Sequence, residues 1–372
     1  MELANEPEEQ TELIEAAVGW LSQRLPDTWS VEPLPDTGAT PQSRRSDYAR
    51  WTIRGGAGGN NLIVVARRQF QPKDVSVLFA GLSRGLMLYN PNVPILIVAP
   101  WLSSRTQELL AAERLNYIDL TGNALVRLDN PTLFMQASGA KRDPSPRQRG
   151  RTTLRGARAA RLIRLLIDVQ PPYGVREIAK AAQLNAGYVS QLLETLEDEA
   201  LIERSRRGRV ESIDIAALLR RWADWYDVFK TNDAAMFVAR SGLSKFLTQL
   251  AETPGNSRLL ITGSFAARRL APVAAPTLLA AYCDNPDTAQ EEFDLFSADE
   301  GANVVLLRPF DGVVWERTTT DDGVEYATPS QVVVDCLTGN GRMPAEGQAL
   351  LEWMTQHESV WRLDSLNEAT AT

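Results

Sequence analysis

The segment 156–230, near the middle of the 372-residue chain, restricts the fold most strongly, because its apolar residues recur at the spacing of packed helices. The spacing predicts three helices, at Arg158–Val169, Val175–Gln183 and Tyr188–Ala200. Pro171 and Pro172 end the first of them, since proline cannot continue a helix. The turn Leu184–Gly187 separates the second from the third, and Asn185 is suited to cap the third at its start. The pattern therefore predicts a small bundle of three helices.

Two strand-like segments follow the third helix and enclose an arginine-rich tip. The strands are predicted at Leu201–Arg204 and Val210–Ile213, and the tip between them, Ser205–Arg209, holds three arginines. From the run Val175–Leu196 to this hairpin, the order of elements resembles the winged helix-turn-helix family of bacterial regulators. A helical module that binds proteins would show the same apolar pattern and is the alternative.

The resemblance implies two sets of side chains that contact duplex DNA. Residues at the start of the third helix are expected to face the major groove: Asn185, Gly187, Tyr188, Ser190 and Gln191. Arginines of the hairpin, the helices and the preceding arm are expected to neutralise phosphates: Arg151, Arg155, Arg158, Arg176, Arg204, Arg206, Arg207 and Arg209. Gln191 is suited to a bidentate contact with adenine. Glu194 on the same helix is acidic, so charge attraction alone does not explain the contact.

The charge of the chain is unevenly distributed. The whole chain has a net charge of −8, which is unusual for a protein that binds nucleic acid. Residues 141–221, however, hold seventeen lysines and arginines against ten aspartates and glutamates, a net of +7, so that the remainder carries −15. A basic middle in an acidic protein directs a polyanion to that middle. A solvated charge run with no partner is the alternative.

Residues 1–140 alternate apolar runs with turn signals and predict a hairpin, a helix, a buried strand, a second helix and further strands. This order resembles the restriction-endonuclease-like fold, whose metal-dependent nucleases need an Asp and then an acid-x-Lys on the next strand. Asp47 can supply the first acid, but Val64–Arg68 offers none for the second. The resemblance therefore implies a non-catalytic scaffold. The Gly55–Gly59 run lies between two strands and predicts a hairpin loop, since a phosphate-binding loop opens a helix.

Two segments of this region, Ile95–Pro100 and Leu115–Ala124, resemble proteins classed with the AbiEi-type antitoxins of toxin–antitoxin systems. Those proteins are DNA-binding autoregulators, so the resemblance implies autoregulation and a toxin as partner protein. Their best-known members carry the winged helix at the N-terminus, whereas here the pattern is central. Tyr117, Asp119 and Asn123 are expected either to form a polar cluster or to close a tight turn that Asp119 caps.

Residues 231–372 return to mixed α/β patterns, and Leu259–Arg269 predicts a strand, a Gly-Ser turn and the start of a helix. This segment resembles the nucleotidyltransferase-like fold, in which Gly-Ser approaches a nucleotide phosphate and two acids on a following strand bind metals. The next strand contains no acid, and Asp284 and Asp287 follow it in a loop, so transfer chemistry is not expected. Four residues are candidates for binding a phosphate or a nucleic-acid backbone: Gly263, Ser264, Arg268 and Arg269. Later segments predict an antiparallel strand pair and two closing helices: Asn303–Arg308 with Val313–Arg317, then Ala327–Cys336 and Ala345–Met354.

Four aromatic residues after the hairpin lie at helical spacing: Trp222, Trp225, Tyr226 and Phe229. Such a stripe is typical of a core or of a dimer seam, and a base-stacking platform is the alternative. We expect a dimer, because one winged helix contacts few base pairs and a two-fold dimer on a palindrome doubles the contact. Cys283 and Cys336 lie in apolar stretches and are expected to be free, buried thiols. With one histidine, His357, the composition argues against a zinc site.

Together these patterns predict an α/β multi-domain protein. It has a non-catalytic restriction-endonuclease-like domain at 1–140, a basic linker at 141–155, a winged helix-turn-helix at 156–230 and a non-catalytic nucleotidyltransferase-like domain at 231–372. We expect a sequence-specific regulator that binds double-stranded DNA as a homodimer in the cytoplasm, with no membrane span, metal, cofactor or catalytic residue. Two alternatives stay open: an antitoxin that binds a partner protein, and an enzyme acting on nucleic acid.

Overall fold

The structure, a computed structural model, describes residues 6–34, 48–56, 58–85, 93–144, 154–252, 257–298 and 300–370. By packing, the chain divides into two units, Met1–Arg149 and Gly150–Thr372. The first unit contains the predicted N-terminal α/β domain. The second contains both the predicted helix-turn-helix segment and the C-terminal α/β region, which therefore pack as one body.

The first unit is built on a seven-stranded sheet whose strands lie side by side in their order along the chain. The strands are β1 (Ser30–Pro33), β2 (Ala49–Gly55), β3 (Gly58–Ala66), β4 (Ile95–Ala99), β5 (Asn116–Asp119), β6 (Ala124–Asp129) and β7 (Thr132–Ala137). The helices are α1 (Glu6–Ser22), α2 (Pro72–Gly85) and α3 (Ser104–Ala112). The central strands β3, β4 and β5 are parallel, because α2 and α3 carry the chain back between them. The strands at either side pair antiparallel.

Helices cover both faces of this sheet. Trp51 and Leu96 on one face pack with Leu21 of α1, whereas Ile97 on the other packs with Leu110 of α3. All of β4 is consequently buried, as expected for a parallel strand covered on both sides. The predicted order of hairpin, helix, strand, helix and strands is confirmed.

The glycine-rich run of the first unit is a hairpin loop, as predicted. Gly55 and Gly58 are register partners at the end of the β2–β3 hairpin, and no helix begins there. Strand β3 carries no acid. Asp47 lies outside the described residues, so the restriction-endonuclease-like assignment stays a prediction.

The turn after β5 is closed by the buried carboxylate of Asp119. One of its oxygens accepts the backbone N–H groups of Thr121 (2.9 Å) and Asn123 (3.0 Å), and the other accepts Asn123 Nδ2 (2.8 Å). The side-chain oxygen of Asn123 in turn accepts the N–H of Gly139 (2.7 Å), which ties the turn to the chain beyond β7. Both possibilities for this segment are met in part, because Asp119 caps the turn and its side chain also bonds that of Asn123. Tyr117 instead donates to Gln107 (3.4 Å).

The second unit begins with the three predicted helices and the predicted hairpin. They are α4 (Ala157–Asp168), α5 (Val175–Ala181), α6 (Ala186–Asp198), β8 (Ile202–Arg204) and β9 (Val210–Ile213), followed by α7 (Ile215–Ala223) and α8 (Val228–Thr231). Helix α6 starts two residues before the predicted position, directly after Asn185. The Asn185 side chain accepts the N–H of Gly187 (2.8 Å), which confirms it as the N-cap. Tyr173, just before α5, forms a bridge with Val210 and so connects the helices to the hairpin.

The C-terminal region is a mixed sheet flanked by helices. Its strands are β10 (Asp233–Ala239), β11 (Leu259–Thr262), β12 (Leu279–Cys283), β13 (Leu295–Ser297), β14 (Val304–Arg308), β15 (Thr319–Asp321) and β16 (Val324–Tyr326), in the order β13-β10-β14-β12-β11-β16-β15. Its helices are α9 (Leu243–Glu252), α10 (Gly263–Leu270), α11 (Pro286–Glu292), α12 (Pro329–Leu337), α13 (Met343–Gln356), α14 (Glu358–Trp361) and α15 (Leu366–Thr370). The two closing helices are confirmed as α12 and α13. Cys283 and Cys336 are free and buried, as predicted.

The predicted strand at Val313–Arg317 is wrong. Residues Gly312–Trp315 form a 3-10 helix, and Asp311 caps it by accepting the N–H of Val313 (2.7 Å). Strand β14, the intended partner, already pairs with β10 on one side and β12 on the other. No edge of β14 is therefore open to a hairpin partner.

The acids that follow β12 do not form a nucleotidyltransferase-like metal site beside the Gly-Ser turn. Strands β11 and β12 pair antiparallel, with Thr262 opposite Ala280 and Leu259 opposite Cys283. Gly263 therefore follows β11 at one end of the pair. Asp284 lies at the other end, where it accepts the N–H of Arg258 (3.1 Å). A single nucleotide-metal centre cannot use both ends of the strand.

Buried charged side chains join α4 to the C-terminal region. The fully buried guanidinium of Arg164 donates to the carbonyl of Val313 and to Oγ1 of Thr328 (3.0 Å). One turn further on, buried Asp168 pairs with Arg317 (2.9 Å). Apolar side chains of α4, α6 and α7 belong to the same buried cluster as those of β11, β12, α12 and α13. The helices α4, α6 and α7 therefore have no separate core of their own.

The end of α4 is capped from the last part of the chain. Arg362 donates to the carbonyl groups of Leu166 (3.2 Å), Ile167 (2.9 Å) and Val169 (2.7 Å), which have no partner within the helix. The N–H of Leu363 reaches the carbonyl of Asp168 (2.8 Å). Residues 195 apart in sequence thus complete one helix terminus.

Candidate nucleic-acid interface

Helix α6 presents a polar face to solvent. Gly187, Ser190, Gln191 and Glu194 are exposed, while Val189, Leu192, Leu193 and Leu196 on the opposite side are buried. This separation follows from the helical repeat of 3.6 residues. The side-chain oxygen of Asn185 accepts the N–H of Gly187, so this residue caps the helix terminus. The exposed face contains a hydroxyl, an amide and a carboxylate, groups that can bond the edges of bases.

Tyr188 lies at the side of this face and not on it. It is half-buried, and the guanidinium carbon of Arg158 lies 4.9 Å from the centre of its ring. Burial raises the pKa of Tyr188, and the nearby charge of Arg158 opposes that rise. Arg158 itself is exposed and pairs with no carboxylate among the described residues. A cation from α4 is thereby held beside the first turn of α6.

The wing, Ser205–Arg209 between β8 and β9, holds its arginines in two different ways. Arg204 at its base donates to Glu197 (3.3 Å) and to the carbonyl of Gly208 (3.3 Å). Arg209 donates to the carbonyl of Pro172 (2.9 Å) and lies 3.6 Å from Glu177. These two arginines have partners inside the protein.

Arg206 and Arg207 occupy the turn at the tip of the wing. Both are exposed, and neither pairs with a carboxylate in the part of the chain that the structure describes. The tip itself is closed by backbone bonds from Ser205 N–H to the Arg209 carbonyl (2.9 Å) and from Gly208 N–H to the Ser205 carbonyl (2.8 Å). Two charges are thus placed in solvent on a closed turn, where they can meet phosphates.

Helix α5 adds two further exposed cations, Arg176 and Lys180, one turn apart. Arg176 was predicted, whereas Lys180 was not. The signal for Lys180 was present, because residues four apart lie on the same side of a helix. Arg151 lies outside the described residues.

The arginines before and on α4 have different surroundings. Arg155 lies just before the helix, while Arg158, Arg161 and Arg164 recur every three residues along it, so that each step rotates the side chain by about 60°. Arg155 stacks on Trp225 at 3.7 Å, Arg161 pairs with Asp311 (3.0 Å) and Arg164 is buried. Fewer of these arginines are therefore available to DNA than the sequence indicates. Arg164 could have been recognised as buried, because apolar residues flank it on both sides.

The four candidate phosphate-binding residues of the C-terminal region differ in exposure and in their partners. Gly263 is buried with φ +62°, and a Cβ there would lie 3.2 Å from Met343 Cε and 3.3 Å from Ala280 Cβ. The glycine thus allows close packing of its own neighbours. Arg269 pairs with Asp321 (2.8 Å) and stacks on Tyr326 (3.9 Å). Ser264 is half-buried and Arg268 is exposed.

The aromatic stripe after the wing is largely core. Trp222 and Tyr226 are buried and Phe229 packs against the same cluster, while Trp225 is 38% exposed beneath Arg155. Trp222 lies on α7 and Phe229 on α8, whereas Trp225 and Tyr226 lie in the break between these helices, so the four residues do not form one helical stripe.

Three helices with a tight turn before α6, followed by a two-stranded basic wing, define a winged helix-turn-helix, a class of DNA-binding domain. The family model of the IclR helix-turn-helix domain matches residues 157–206, from α4 into the wing. The match supports a DNA-binding transcription regulator. No curated protein matches the chain. No solved structure matches it either. Among the described residues, no helix is long and apolar enough to cross a membrane.

Proposed function

We propose that this protein is a transcriptional regulator that binds double-stranded DNA at specific sequences. The observation that carries the proposal is the exposed polar face of α6 with unpaired cations around it. Arg206 and Arg207 on the wing and Arg176 and Lys180 on α5 supply charge for phosphates. The exposed face of α6 supplies hydrogen-bonding groups for bases.

The composition of α6 limits which bases it reads. The helix contains no lysine or arginine, the residues that most often bond guanine. Gln191 fits the N6 and N7 groups of adenine, and Glu194 fits the amino group of cytosine. Affinity then comes from cations outside the helix, and sequence preference from neutral and acidic groups on it.

A homodimer on an inverted repeat is part of this proposal. One exposed helix face spans only a few base pairs, and a two-fold pair of helices doubles the number read. The stoichiometry of protein and duplex, measured by sedimentation on a retained site, tests this part. An antitoxin role with a toxin partner stays a prediction from the AbiEi resemblance.

The experiment that tests the proposed function is selection of genomic fragments by the purified full-length protein, followed by sequencing. Fluorescence anisotropy then compares a retained duplex with a scrambled duplex of the same composition across about 50–200 mM salt. We expect tighter binding to the retained duplex at every salt concentration, and weaker binding to both duplexes as salt rises. Equal affinity for both duplexes would contradict sequence specificity, and no binding at low salt would contradict DNA binding.

A further inference from the structure

Helix α6 contains no lysine or arginine, but a cation from another helix lies beside it. Tyr188, the third residue of α6, has a half-buried ring, and Arg158 of α4 places its guanidinium over that ring at 4.9 Å. Around the axis of α6, Tyr188 lies about 100° from Gly187. It therefore points to the flank of the exposed face, towards α4.

Stacking on a ring leaves the guanidinium able to bind. The guanidinium carbon lies over the face of the ring, and because a cation–π contact is not a hydrogen bond, it leaves the N–H groups of Arg158 able to bind an anion. A stacked arginine also has fewer rotamers to lose when it binds an anion, which lowers the entropic cost. When a recognition helix lies in the major groove, the phosphates of the two strands form the walls on its flanks.

We propose that Arg158 binds a DNA phosphate at the flank of α6, and that Tyr188 is the positioning residue that holds Arg158 there. This inference rests on the proposed function. It gives Tyr188 a different role from the base contact expected from the sequence. The role of Tyr188 resides in its ring, and its hydroxyl group has no part in it.

The test is a double-mutant cycle on the full-length protein, with the salt dependence of duplex binding as readout. The variants are Arg158→Ala, Tyr188→Leu, both together, and Tyr188→Phe. Leucine keeps an apolar side chain without a π face, and phenylalanine keeps the ring without the hydroxyl. Arg240→Ala is the matched control, because Arg240 is another exposed arginine stacked on a ring, that of Phe296 at 3.6 Å, outside the helix-turn-helix.

We expect Arg158→Ala to reduce the slope of log affinity against log salt by about one, the value of one phosphate contact, on retained and scrambled duplexes alike. Tyr188→Leu should lose a large part of the same slope, and the double variant should match Arg158→Ala, since both changes remove one contact. Tyr188→Phe and Arg240→Ala should keep the wild-type slope.

Three results would overturn the inference while leaving the proposed function intact. They are an unchanged slope in Arg158→Ala, a loss in Tyr188→Phe as large as in Tyr188→Leu, and additive losses in the double variant. A wild-type protein that binds no duplex would overturn the proposed function, and this inference with it.

Discussion

Arg206 and Arg207 stand at the tip of the wing with their guanidinium groups in solvent, whereas Arg204 at its base is held by Glu197. Arg164, an arginine of the same basic region, is fully buried. Fixing an arginine against a partner costs conformational entropy and solvation. An arginine that is already bonded inside the protein is therefore less available to a phosphate than one in solvent. The arginines with partners inside the protein stabilise the fold, and those in solvent are available to phosphates.

This difference predicts the effect of removing the two charges at the tip. We expect Arg206→Ala combined with Arg207→Ala to weaken binding to retained and scrambled duplexes alike and to lower the salt slope by about two. Gln191→Ala should instead reduce the preference for the retained duplex and keep the slope. Anisotropy titrations on both duplexes measure these effects. Equal losses on both duplexes for both variants would contradict the division between phosphate and base contacts.

Asp335 is a buried carboxylate without a cationic partner among the described residues. Thr262 Oγ1 (2.5 Å), Gln331 Nε2 (2.8 Å) and the hydroxyl groups of Tyr226 (2.8 Å) and Tyr282 (2.9 Å) donate to it. Burial raises the pKa of Asp335 to about 6, although these hydrogen bonds act in the opposite direction. The network joins α12 to β11, β12 and the chain after α7.

The raised pKa of Asp335 predicts how stability depends on pH. The folded state holds the proton more strongly than an unfolded aspartate with a pKa of about 3.9, so the stability from this group is full below about pH 4 and is lost as the pH rises through about 6. Between pH 7 and pH 5 the wild type should gain about 1 kcal/mol in the free energy of unfolding relative to Asp335→Asn. Urea unfolding of both proteins measures the difference. A difference independent of pH would show that the carboxylate is already ionised at pH 5.

At the scale of elements, helix termini in this protein are completed by different means. Asn185 caps α6 from the adjacent position, whereas the carbonyl end of α4 is capped by Arg362. The first kind of cap is visible in the sequence, because the capping side chain and the N–H that it accepts are two residues apart. The second kind depends on the fold of the whole unit.

The cap of α6 predicts separate effects on stability and on base preference. Asn185→Ala should lower the free energy of unfolding by about 1 kcal/mol, because the N–H of Gly187 loses its partner. Asn185→Ser should keep most of the stability, since serine caps comparably. Neither change should alter the preference for the retained duplex. A changed preference in Asn185→Ser at unchanged stability would show that Asn185 contacts a base.

At the scale of the whole molecule, the helices α4, α6 and α7 and the C-terminal sheet of the second unit share one apolar core. The buried guanidinium of Arg164 and the Asp168–Arg317 pair lie at their junction. Breaking such a buried pair leaves a charge without a partner in a low-dielectric interior. Separation of the helices from the sheet would expose their shared apolar core to water and is therefore unfavourable.

The shared core predicts one cooperative opening for residues 154–370. In native-state hydrogen exchange, the most protected amides of α4 and α6 and those of β11, β12 and β14 should exchange with the same free energy of opening. Arg164→Met should lower that free energy in both sets together. Lower protection of α4 and α6 alone would show that the helix-turn-helix opens independently of the sheet.

The parts of the fold that could be predicted are those fixed by local patterns. The helix α6, its Asn185 cap and the glycine hairpin at Gly55–Gly58 each depend on residues close in sequence. The strand predicted at Val313–Arg317 failed because its apolar residues are equally suited to a buried 3-10 helix, and only the sheet order shows that β14 has no free edge.

The sequence alone determined that a three-helix motif with a basic hairpin forms in the middle of the chain, because helical periodicity, caps and turns act within a few residues. The tertiary structure decided which partners its cations meet. Arg164 and Val313 are 149 residues apart, and their contact makes a charge counted in the basic middle of the chain part of the core. Long-range contacts of this kind leave no periodic signal, since nothing in the spacing along the chain records which distant group a charge will meet.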